Sequence, residues 1–186
     1  MARRKIVTYP DPILKKPSQE VLQIDSDIRT LVNDMADTMY AVPGIGLAAP
    51  QIGYNKRIII FDTERKDLEE GLSEKEKIKN RNLMVLINPE ITYSEGKVIS
   101  ENEGCLSVPD LRSDIKRKSI VHVKGLDLDG NTISIEASET VSIVIQHEID
   151  HLNGVLFVDY ISALKREMYR RKRLKKLKKK EKKKRK

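Results

Sequence analysis

A single domain that mixes α-helices with β-strands is the fold that the sequence predicts. Apolar residues recur at helical spacing within residues 28–39 and 141–145. Short runs rich in Ile, Val and Leu fit buried strands, and Asp129-Gly130 is a typical hairpin turn. With 186 residues the chain can bury one core, and an aromatic content of 4% means that Ile, Leu and Val must fill most of it.

Cysteine content and hydropathy restrict where the protein works. Cys105 is the single cysteine, which excludes an intramolecular disulfide and favours a reducing compartment. No run approaches the ~20 apolar residues of a membrane span. The basic N-terminus MARRKIVTYPDP lacks the apolar core of a secretory signal. We therefore expect a cytoplasmic protein without membrane contact, and we expect a monomer.

The net charge of +8 is unevenly distributed. From Leu164 onward, 16 Lys or Arg stand against two Glu, a net charge of +14 that leaves −6 for residues 1–163. The sequence therefore predicts an acidic globular domain, residues 1–163, and a basic tail, residues 164–186. Any interaction with a polyanion is then a property of the tail.

The N-terminal part is predicted to pass from an extended lead-in to a helix. Residues 6–23 contain three prolines, which favour an extended, turn-rich chain. A helix should follow, with Asp25 or Ser26 as its N-cap and Pro43-Gly44 beyond its end. Its apolar residues share one face and predict a role in the core: Ile28, Leu31, Val32, Met35 and Met39.

Glycine and alanine dominate the stretch GIGLAAPQIG, Gly44–Gly53. Small residues allow another chain or a ligand to approach the backbone, although tight internal packing alone also explains them. No Lys-Ser/Thr follows to make a phosphate-binding loop. Gln51 is the side chain in this stretch that can donate a directional hydrogen bond.

Two apolar runs, residues 57–61 and 84–88, fit buried strands. Between them, Asp62–Asn82 is nearly all charged, with both signs mixed. We expect this charged segment to be a solvated loop or a short surface helix with no chemistry of its own. Residues 91–100 suggest a hairpin that turns near Gly96, and residues 120–135 suggest a second hairpin.

Gly125 and His122 are special positions in the second hairpin. The parity of the apolar residues reverses between Val123 and Leu126, so a bulge or kink is expected at Gly125. His122 falls on the strand face opposite Val121 and Val123. It is therefore predicted to be a surface or packing histidine and not a metal ligand.

The stretch QHEIDHLNG, Gln146–Gly154, indicates chemistry. On a helix, His147 and His151 lie one turn apart on the same face and could hold one metal ion. Glu148 could reach a water on that metal. Ser138 is a suitable N-cap for such a helix. The alternative is a pair of core histidines whose nitrogens are satisfied by hydrogen bonds.

Cys105 has two interpretations. A lone buried cysteine is often a small hydrophobic residue of the core. Together with His147 and His151, however, it would complete a set of three protein ligands, which leaves a fourth position for water as in catalytic metal sites. A structural zinc site would need a fourth ligand, and the strand parity of the spare His122 argues against it.

These residues belong to three motifs that stand in a fixed order: GIGLAAPQ at Gly44–Gln51, EGCLS at Glu103–Ser107 and HEIDH at His147–His151. In these motifs, and in its YPDPIL and GVLFVDYIS segments, the sequence resembles peptide deformylases over about residues 5–163. The resemblance implies an α+β fold, with antiparallel sheets around a central metal-binding helix and a C-terminal helix or basic tail. The charged segment and the tail depart from the pattern.

The resemblance also implies a reaction, the removal of the formyl group from the N-terminal formylmethionine of new polypeptides, with release of formate. It implies one divalent metal ion and assigns its ligands as Cys105, His147 and His151. Glu148 would act as general base and then as general acid. The Gln51 side-chain amide and the Leu106 backbone N–H would stabilise the oxyanion. The resemblance favours Fe2+, while Zn2+, Ni2+ or Co2+ would also suit these ligands.

The nascent formyl-Met polypeptide is expected to bind as an added strand. Gly46 is the predicted backbone contact, and Ile45, Ile143 and Val144 are predicted to form the pocket for the methionine side chain. Arg112 either meets a substrate carboxylate or is an ordinary surface arginine.

The tail is either a solvated charge run or a helix with a thin apolar stripe: Leu164, Met168, Leu174 and Leu177. Because its charges repel one another, we expect such a helix to be stable only against a polyanion. Some deformylases that this chain resembles have a basic C-terminal helix that docks on ribosomes, which points to ribosomal RNA. No predicted site residue lies in the tail, so its removal should leave turnover unchanged.

Two other functions remain to be compared with this one. A peptidase of the His-Glu-x-x-His type would leave EGCLS unexplained and lacks an obvious third ligand downstream. A nucleic-acid-binding module would account for the tail but would leave the predicted metal ligands without a role.

Overall fold

A computed structural model describes residues 3–184, and it confirms the α+β prediction. Residues 1–2 and 185–186, at the ends of the two predicted parts, lie outside the described residues. The helices are α1 Ser26–Tyr40, α2 Glu74–Lys79, α3 Glu139–Leu152 and α4 Ala163–Lys184. The strands are β1 Gly46–Ala48, β2 Ile58–Phe61, β3 Met84–Glu95, β4 Val98–Cys105, β5 Val108–Arg117, β6 Ile120–Leu126 and β7 Thr132–Ser138. Short 3-10 helices include Pro12–Lys15 and Ala49–Ile52.

Two antiparallel sheets surround α3. Strands β1-β2-β3-β6-β7 form a five-stranded sheet, and β4-β5 form a separate two-stranded sheet. In β2, Ile58 and Ile60 pack with α1, whereas Ile59 and Phe61 pack with α3. The alternation explains why β2 is continuously apolar, since a strand covered on both faces has no solvent side. Within residues 3–184, no helix has both the length and the apolar character needed to cross a bilayer.

Helices α1 and α3 form where the sequence predicts them. Asp25 is the N-cap of α1, and its side chain accepts a hydrogen bond of 2.9 Å from the Ile28 N–H. All five predicted apolar residues of α1 are buried. Ser138 occupies the N-cap position of α3, but its side chain makes no capping bond there. Gly154 follows the C-cap Asn153 with φ +71°, a conformation that glycine adopts without strain.

One predicted hairpin is present and the other is wrong. Strands β6 and β7 pair around Gly130, as expected. Strands β3 and β4 do follow one another through a turn at Gly96, but they belong to different sheets. β3 pairs with β2 and β6, while β4 pairs with β5. The turn signal was correct, but a local pattern does not specify which strand becomes the partner.

The irregularity predicted at Gly125 is present opposite this residue, but the extra residues belong to the partner strand β3. Pairing between β6 and β7 runs through Gly125 without a register shift. The irregularities lie in the partner strand β3, between Ile87 and Glu90 and between Ile91 and Tyr93. A Cβ on Gly125 would lie 3.1 Å from the Ile87 carbonyl oxygen. Gly125 therefore makes room for the irregular strand β3, while the pairing of its own strand β6 with β7 stays regular.

The charged segment Asp62–Asn82 is only partly solvated. It contains the predicted short surface helix, α2, in which no residue is buried. Its first residues differ from the prediction, because Asp62, Arg65 and Asp67 are all buried. The expectation that this segment is merely an exposed excursion is therefore wrong for its N-terminal part.

A third apolar cluster joins the tail to the rest of the protein. Leu14, Val108, Ile115 and the segment 156–158 pack together with Tyr169 of α4. The Tyr169 hydroxyl donates to the Pro109 carbonyl at 2.9 Å. Helix α4 is thus docked on the globular domain through its first half. The predicted boundary between residues 163 and 164 stays a prediction, and helix α4 begins at Ala163.

The residues that dock α4 differ from the predicted apolar stripe. Arg173 donates to the Tyr9 carbonyl at 3.1 Å and to the Thr8 hydroxyl at 2.7 Å, and Lys176 pairs with Asp110 at 2.6 Å. By contrast, Leu164 and Met168 of the predicted stripe are mostly exposed. Packing against the globular domain thus stabilises the first half of the helix. The sequence analysis expected a polyanion to supply all of this stabilisation.

Tyr169→Ala should destabilise the protein by about 3 kcal/mol, because the change empties a buried aromatic position and removes a hydrogen bond. Met168→Ala on the neighbouring exposed position is the matched control and should change stability by less than about 0.5 kcal/mol. Urea denaturation of both variants measures the difference. Equal midpoints for the two variants would show that α4 is not docked.

Candidate active site

Cys105, His147 and His151 converge between the two sheets. Their sulfur and nitrogen donor atoms all lie within 4.8 Å of one another, and the Cys105 Sγ is 3.1 Å from the His151 Nε2. Cys105 ends β4, while both histidines lie on α3. A thiol and two imidazoles at this spacing form a donor set that suits a transition-metal ion.

Local structure explains the convergence. His147 and His151 are one helical turn apart, with ring centroids separated by 5.1 Å. A tight turn joins β4 to β5 directly after Cys105, whose strand partner is Val108. In that turn the Ser107 N–H donates to the Cys105 Sγ at 3.4 Å, which fixes the position of the sulfur.

Glu148 is buried beside this cluster and next to Gly46. Burial raises the pKa of its carboxyl group to about 7, although the neighbouring His147 opposes the rise. Its Oε2 makes no hydrogen bond with any of the residues that the structure describes. A Cβ on Gly46 would lie 2.6 Å from the Glu148 Oε1 and 2.9 Å from Val144. Gly46 therefore has to be a glycine for Glu148 to occupy its position.

Gln51 points from the glycine-rich stretch toward the cluster. Its Oε1 accepts a hydrogen bond of 2.7 Å from the Ala48 N–H, which fixes the orientation of the amide. The Nε2 is therefore turned toward the Cys105 Sγ, at 3.5 Å. Leu106 follows Cys105 directly and lines the same cavity. Both predicted oxyanion donors thus lie next to the predicted metal ligands.

A buried ion-pair network orients His147, and the sequence reasoning did not identify it. The Glu103 Oε1 lies 2.7 Å from the His147 Nδ1, and the same carboxylate accepts two hydrogen bonds from Arg117, at 2.6 and 3.1 Å. Arg117 also donates to Asp150 at 2.6 Å, and Asp150 accepts a hydrogen bond from the Tyr160 hydroxyl. Glu103 belongs to the EGCLS motif, whereas nothing local marks Arg117.

The electrostatics of the cluster favour a cation. Burial alone would raise the pKa of Glu103, but hydrogen bonds from His147 and Arg117 lower it to about 2, so this carboxylate is charged. Burial would likewise lower the pKa of His147, yet contact with Cys105 and Glu103 raises it well above its usual value. These neighbours therefore favour a positive charge at this position, which is either a proton on the imidazole or a metal ion bound to its neutral form. Burial keeps the pKa of His151 well below its usual value, so its imidazole is neutral, as a metal ligand must be.

A cleft of about 1150 Å³ opens onto the cluster. The predicted pocket residues Ile45, Ile143 and Val144 all line it. Among residues 3–184, β1 pairs with β2 alone and β4 with β5 alone, and residues of both strands line the cleft. An extended peptide could therefore hydrogen-bond on both sides.

Two other predicted positions lie away from the cluster or at its rim. His122 is a surface residue that packs against the Tyr93 ring at 5.0 Å, as expected. Arg112 is exposed at the edge of the cleft, where it donates to the Asn102 carbonyl at 3.1 Å.

One thiol, two imidazoles and a buried carboxylate beside an open cleft are the groups that metal-dependent hydrolases use. Residues 3–167 match the family model described as polypeptide deformylase. The chain belongs to this family, whose members remove the N-formyl group from nascent polypeptides, so the predicted enzyme class is confirmed. The match excludes the peptidase and the stand-alone nucleic-acid-binding module.

Individual relatives agree with this assignment. The peptide deformylase of Thermodesulfovibrio yellowstonii is 48% identical over 172 residues, which cover 92% of this chain and 97% of the relative. A crystal structure of a peptide deformylase from Legionella pneumophila has 42% identity and a TM-score of 0.82, covering 95% of this chain and 98% of the other. The Ehrlichia chaffeensis peptide deformylase in complex with actinonin has 40% identity and a TM-score of 0.83, with coverages of 95% and 98%.

Glu103→Gln should weaken metal binding by about 10- to 100-fold, because the substitution removes the charge that orients and polarises His147. Glu101→Gln, an exposed change on the same strand, is the control and should leave the affinity unchanged. Competition with a chelator measures both constants. If the two variants bind metal equally well, Glu103 does not support the ligand set.

Proposed function

We propose that Cys105, His147 and His151 hold one divalent metal ion and that the cleft presents the formyl amide of a nascent polypeptide to it. The main observation behind this proposal is that these three donors converge beside Glu148 and that Cys105, His147 and Glu148 line the cleft. When bound, the ion supplies Lewis acidity that makes water a nucleophile near neutral pH.

Glu148 is the proposed proton carrier. Its carboxylate accepts a proton from the attacking water while the water oxygen bonds to the formyl carbon. The same proton then passes to the amide nitrogen, the carbon–nitrogen bond breaks, and formate and a free amino terminus result. Burial of Glu148 supports this role, because a pKa of about 7 allows the group both to accept and to return a proton near neutral pH.

Gln51 and Leu106 are the proposed stabilisers of the oxyanion. The Nε2 of Gln51 is held toward the cluster by the bond that Ala48 makes to the other end of the amide. The Leu106 backbone N–H lies in the turn after Cys105. Loss of one such preorganised donor typically costs about 3 kcal/mol of transition-state stabilisation.

The substrate is proposed to lie as a strand between β1 and β4. Backbone contact at Gly46 suits an enzyme that must accept many sequences, because backbone groups are the same in all of them. Ile45, Ile143 and Val144 are the proposed pocket for the methionine side chain, since they supply apolar surface within the cleft.

Iron(II) is the proposed physiological metal, and one thiolate with two imidazoles would also hold zinc, nickel or cobalt. We further propose that the enzyme works in the cytoplasm as a monomer. Elemental analysis of protein purified without oxygen identifies the ion, because iron and the thiolate are both lost to oxidation in air.

Glu148→Gln should retain metal and lose at least about 100-fold in turnover, because an amide cannot carry the proton. Glu139→Gln, at the exposed start of the same helix, is the matched control. Formate release from a formyl-Met tripeptide is measured together with metal content. Near-normal turnover by a metal-loaded Glu148→Gln protein would overturn the assigned role.

The C-terminal part of α4 is the proposed contact for ribosomal RNA. The docking contacts described above end at Lys176, and residues 177–186 carry a net charge of +7. Lysines that contact phosphates bind with strong dependence on salt and little dependence on sequence.

Replacing Lys178, Lys179, Lys182 and Lys183 by Gln should weaken co-sedimentation with ribosomes and flatten its salt dependence. Turnover of a short peptide should be unchanged, because Tyr169 and Arg173 remain. The same charge loss at exposed sites elsewhere is the control: Lys75, Lys79, Lys97 and Lys124. Equal ribosome binding by both variants would contradict a specific role of the tail.

A further inference from the structure

Arg65, from the charged segment, reaches the loop that leads into β1. Its Nη1 donates to the carbonyls of Val42, at 3.2 Å, and of Gly44. Its Nε and Nη2 donate to the two carboxylate oxygens of Asp67, at 2.7 and 3.1 Å. One guanidinium group therefore joins the charged segment to two backbone carbonyls beside the cleft.

This ion pair is almost completely buried. The side chains of Arg65 and Asp67 are only 5% and 6% exposed. Burying two charges carries a desolvation cost that their mutual attraction often fails to offset, so such a pair is weak evidence for a stabilising role. The geometry it imposes is specific, however, because the planar guanidinium directs its donors along fixed lines.

Asp62 anchors the segment on which Arg65 lies. Its carboxylate accepts hydrogen bonds from the Tyr40 hydroxyl at 2.8 Å and from the backbone N–H groups of Asn82, Glu64 and Arg65 at 2.9 to 3.1 Å. These bonds lower the pKa of Asp62 although burial opposes the change. Both ends of the charged segment are thereby fixed.

The Tyr40 ring adds a second contact to the same assembly. The guanidinium carbon of Arg65 lies 5.2 Å from the ring centroid, and that of Arg81 lies 4.1 Å from it. Arg65 itself has φ +44°, a left-handed conformation that is uncommon for a residue with a side chain. Its backbone N–H bond to Asp62 holds this conformation in place.

The loop that Arg65 grips presents the backbone expected to pair with substrate. The cleft is lined by Gly44, Ile45 and Gly46, and the Glu148 carboxylate lies directly against Gly46. The Ile45 carbonyl already accepts a bond from the Asp62 N–H at 2.9 Å. The charged segment thus holds the carbonyls of Gly44 and Ile45, and Gly46 follows them directly at the cleft.

We propose that Arg65 and Asp67 form a positioning pair that sets the geometry of the substrate-binding strand. Through this pair, the charged segment determines how well the backbone of a peptide substrate can hydrogen-bond with Gly44–Gly46. Neither residue touches the reacting atoms. The inference rests on the proposed function, in which the substrate binds as a strand added to β1.

Kinetics with a long and a short substrate distinguish a positioning role of Arg65 from a general loss of stability. A formyl-Met tripeptide can pair its backbone with β1, whereas formyl-methioninamide has no backbone beyond the methionine. Arg65→Ala should raise KM for the tripeptide by about tenfold and change kcat much less, because uniform binding is lost while Glu148 and the metal ligands keep their contacts. The loss of kcat/KM for formyl-methioninamide should be at most about twofold.

Companion variants control for charge and folding. Arg65→Lys keeps the positive charge but loses the planar guanidinium, so its KM for the tripeptide should lie between those of wild type and Arg65→Ala. Asp67→Asn should raise the KM for the tripeptide as much as Arg65→Ala does. Lys66→Ala removes the neighbouring exposed residue, whose partner is Glu64, and should behave as wild type. Thermal unfolding and metal content are recorded for each protein.

The outcomes decide between the explanations. An unchanged tripeptide KM in Arg65→Ala, or an equal loss for both substrates, would overturn the positioning role. Should Arg65→Ala fail to fold, an unchanged KM in Asp67→Asn would overturn it as well. Failure of the wild-type protein to release formate from either substrate would instead refute the proposed function.

Discussion

The polar face of helix α3 is the constraint on which the rest of the structure depends. Gln146, His147, Glu148 and His151 are consecutive or nearly so, and all four are buried. Buried polar groups have to be hydrogen-bonded or used in chemistry, since leaving them unpaired costs about 1–3 kcal/mol each. The surrounding elements are arranged around that requirement.

Gln146 and His147 of α3 are held by two different parts of the chain. Gln146 exchanges hydrogen bonds with the backbone of Lys118, at the junction of β5 and β6. His147 is held by Glu103 from β4. Glu148 Oε2 and His151 Nδ1 lack partners among the described residues. Within α3, the side-chain atoms without partners thus belong to the two residues assigned to the reaction and to the metal, whereas Gln146 and His147 are held in place.

Local signals predicted the parts of the fold that depend on local chemistry. The HEIDH spacing, the apolar face of α1 and the Asp129-Gly130 turn each depend on residues within one or two helical turns or one hairpin, and all three were correct. The pairing of β4 with β5, by contrast, places these strands in a sheet separate from that of β3. No pattern within the β3–β4 connection carries that information.

Buried arginines are the features that sequence reasoning missed most consistently. Lys and Arg are almost never buried without partners, so composition alone places them on the surface. Here Arg65, Arg117 and Arg173 are each at most 8% exposed, and each finds partners distant in sequence or in another element. Their roles could not be predicted because their partners are backbone carbonyls and carboxylates that only the tertiary fold brings near.

These arginines share a physical logic. Arg117 holds the Glu103 carboxylate that holds His147, and Arg65 holds the carbonyl of Gly44. Arg173 holds the carbonyl of Tyr9, whose N–H in turn donates to the Ser107 carbonyl at 2.8 Å, next to the turn that follows Cys105. A guanidinium group keeps its charge when buried and offers five donors in one plane, so a single side chain can fix two partners at once.

This arrangement suits a site that has to bind variable peptides with constant geometry. Substrate side chains beyond the methionine cannot be relied on for orientation, so the enzyme has to keep its own ligands and strand edges in register. Apolar packing from Ile, Leu and Val fills the core, but it does not direct a backbone carbonyl to one position. Buried arginines in three separate parts of the chain supply that direction. Arg117 acts on the histidine proposed as a metal ligand, Arg65 on the strand proposed to bind substrate, and Arg173 on the segment that contacts the turn after Cys105.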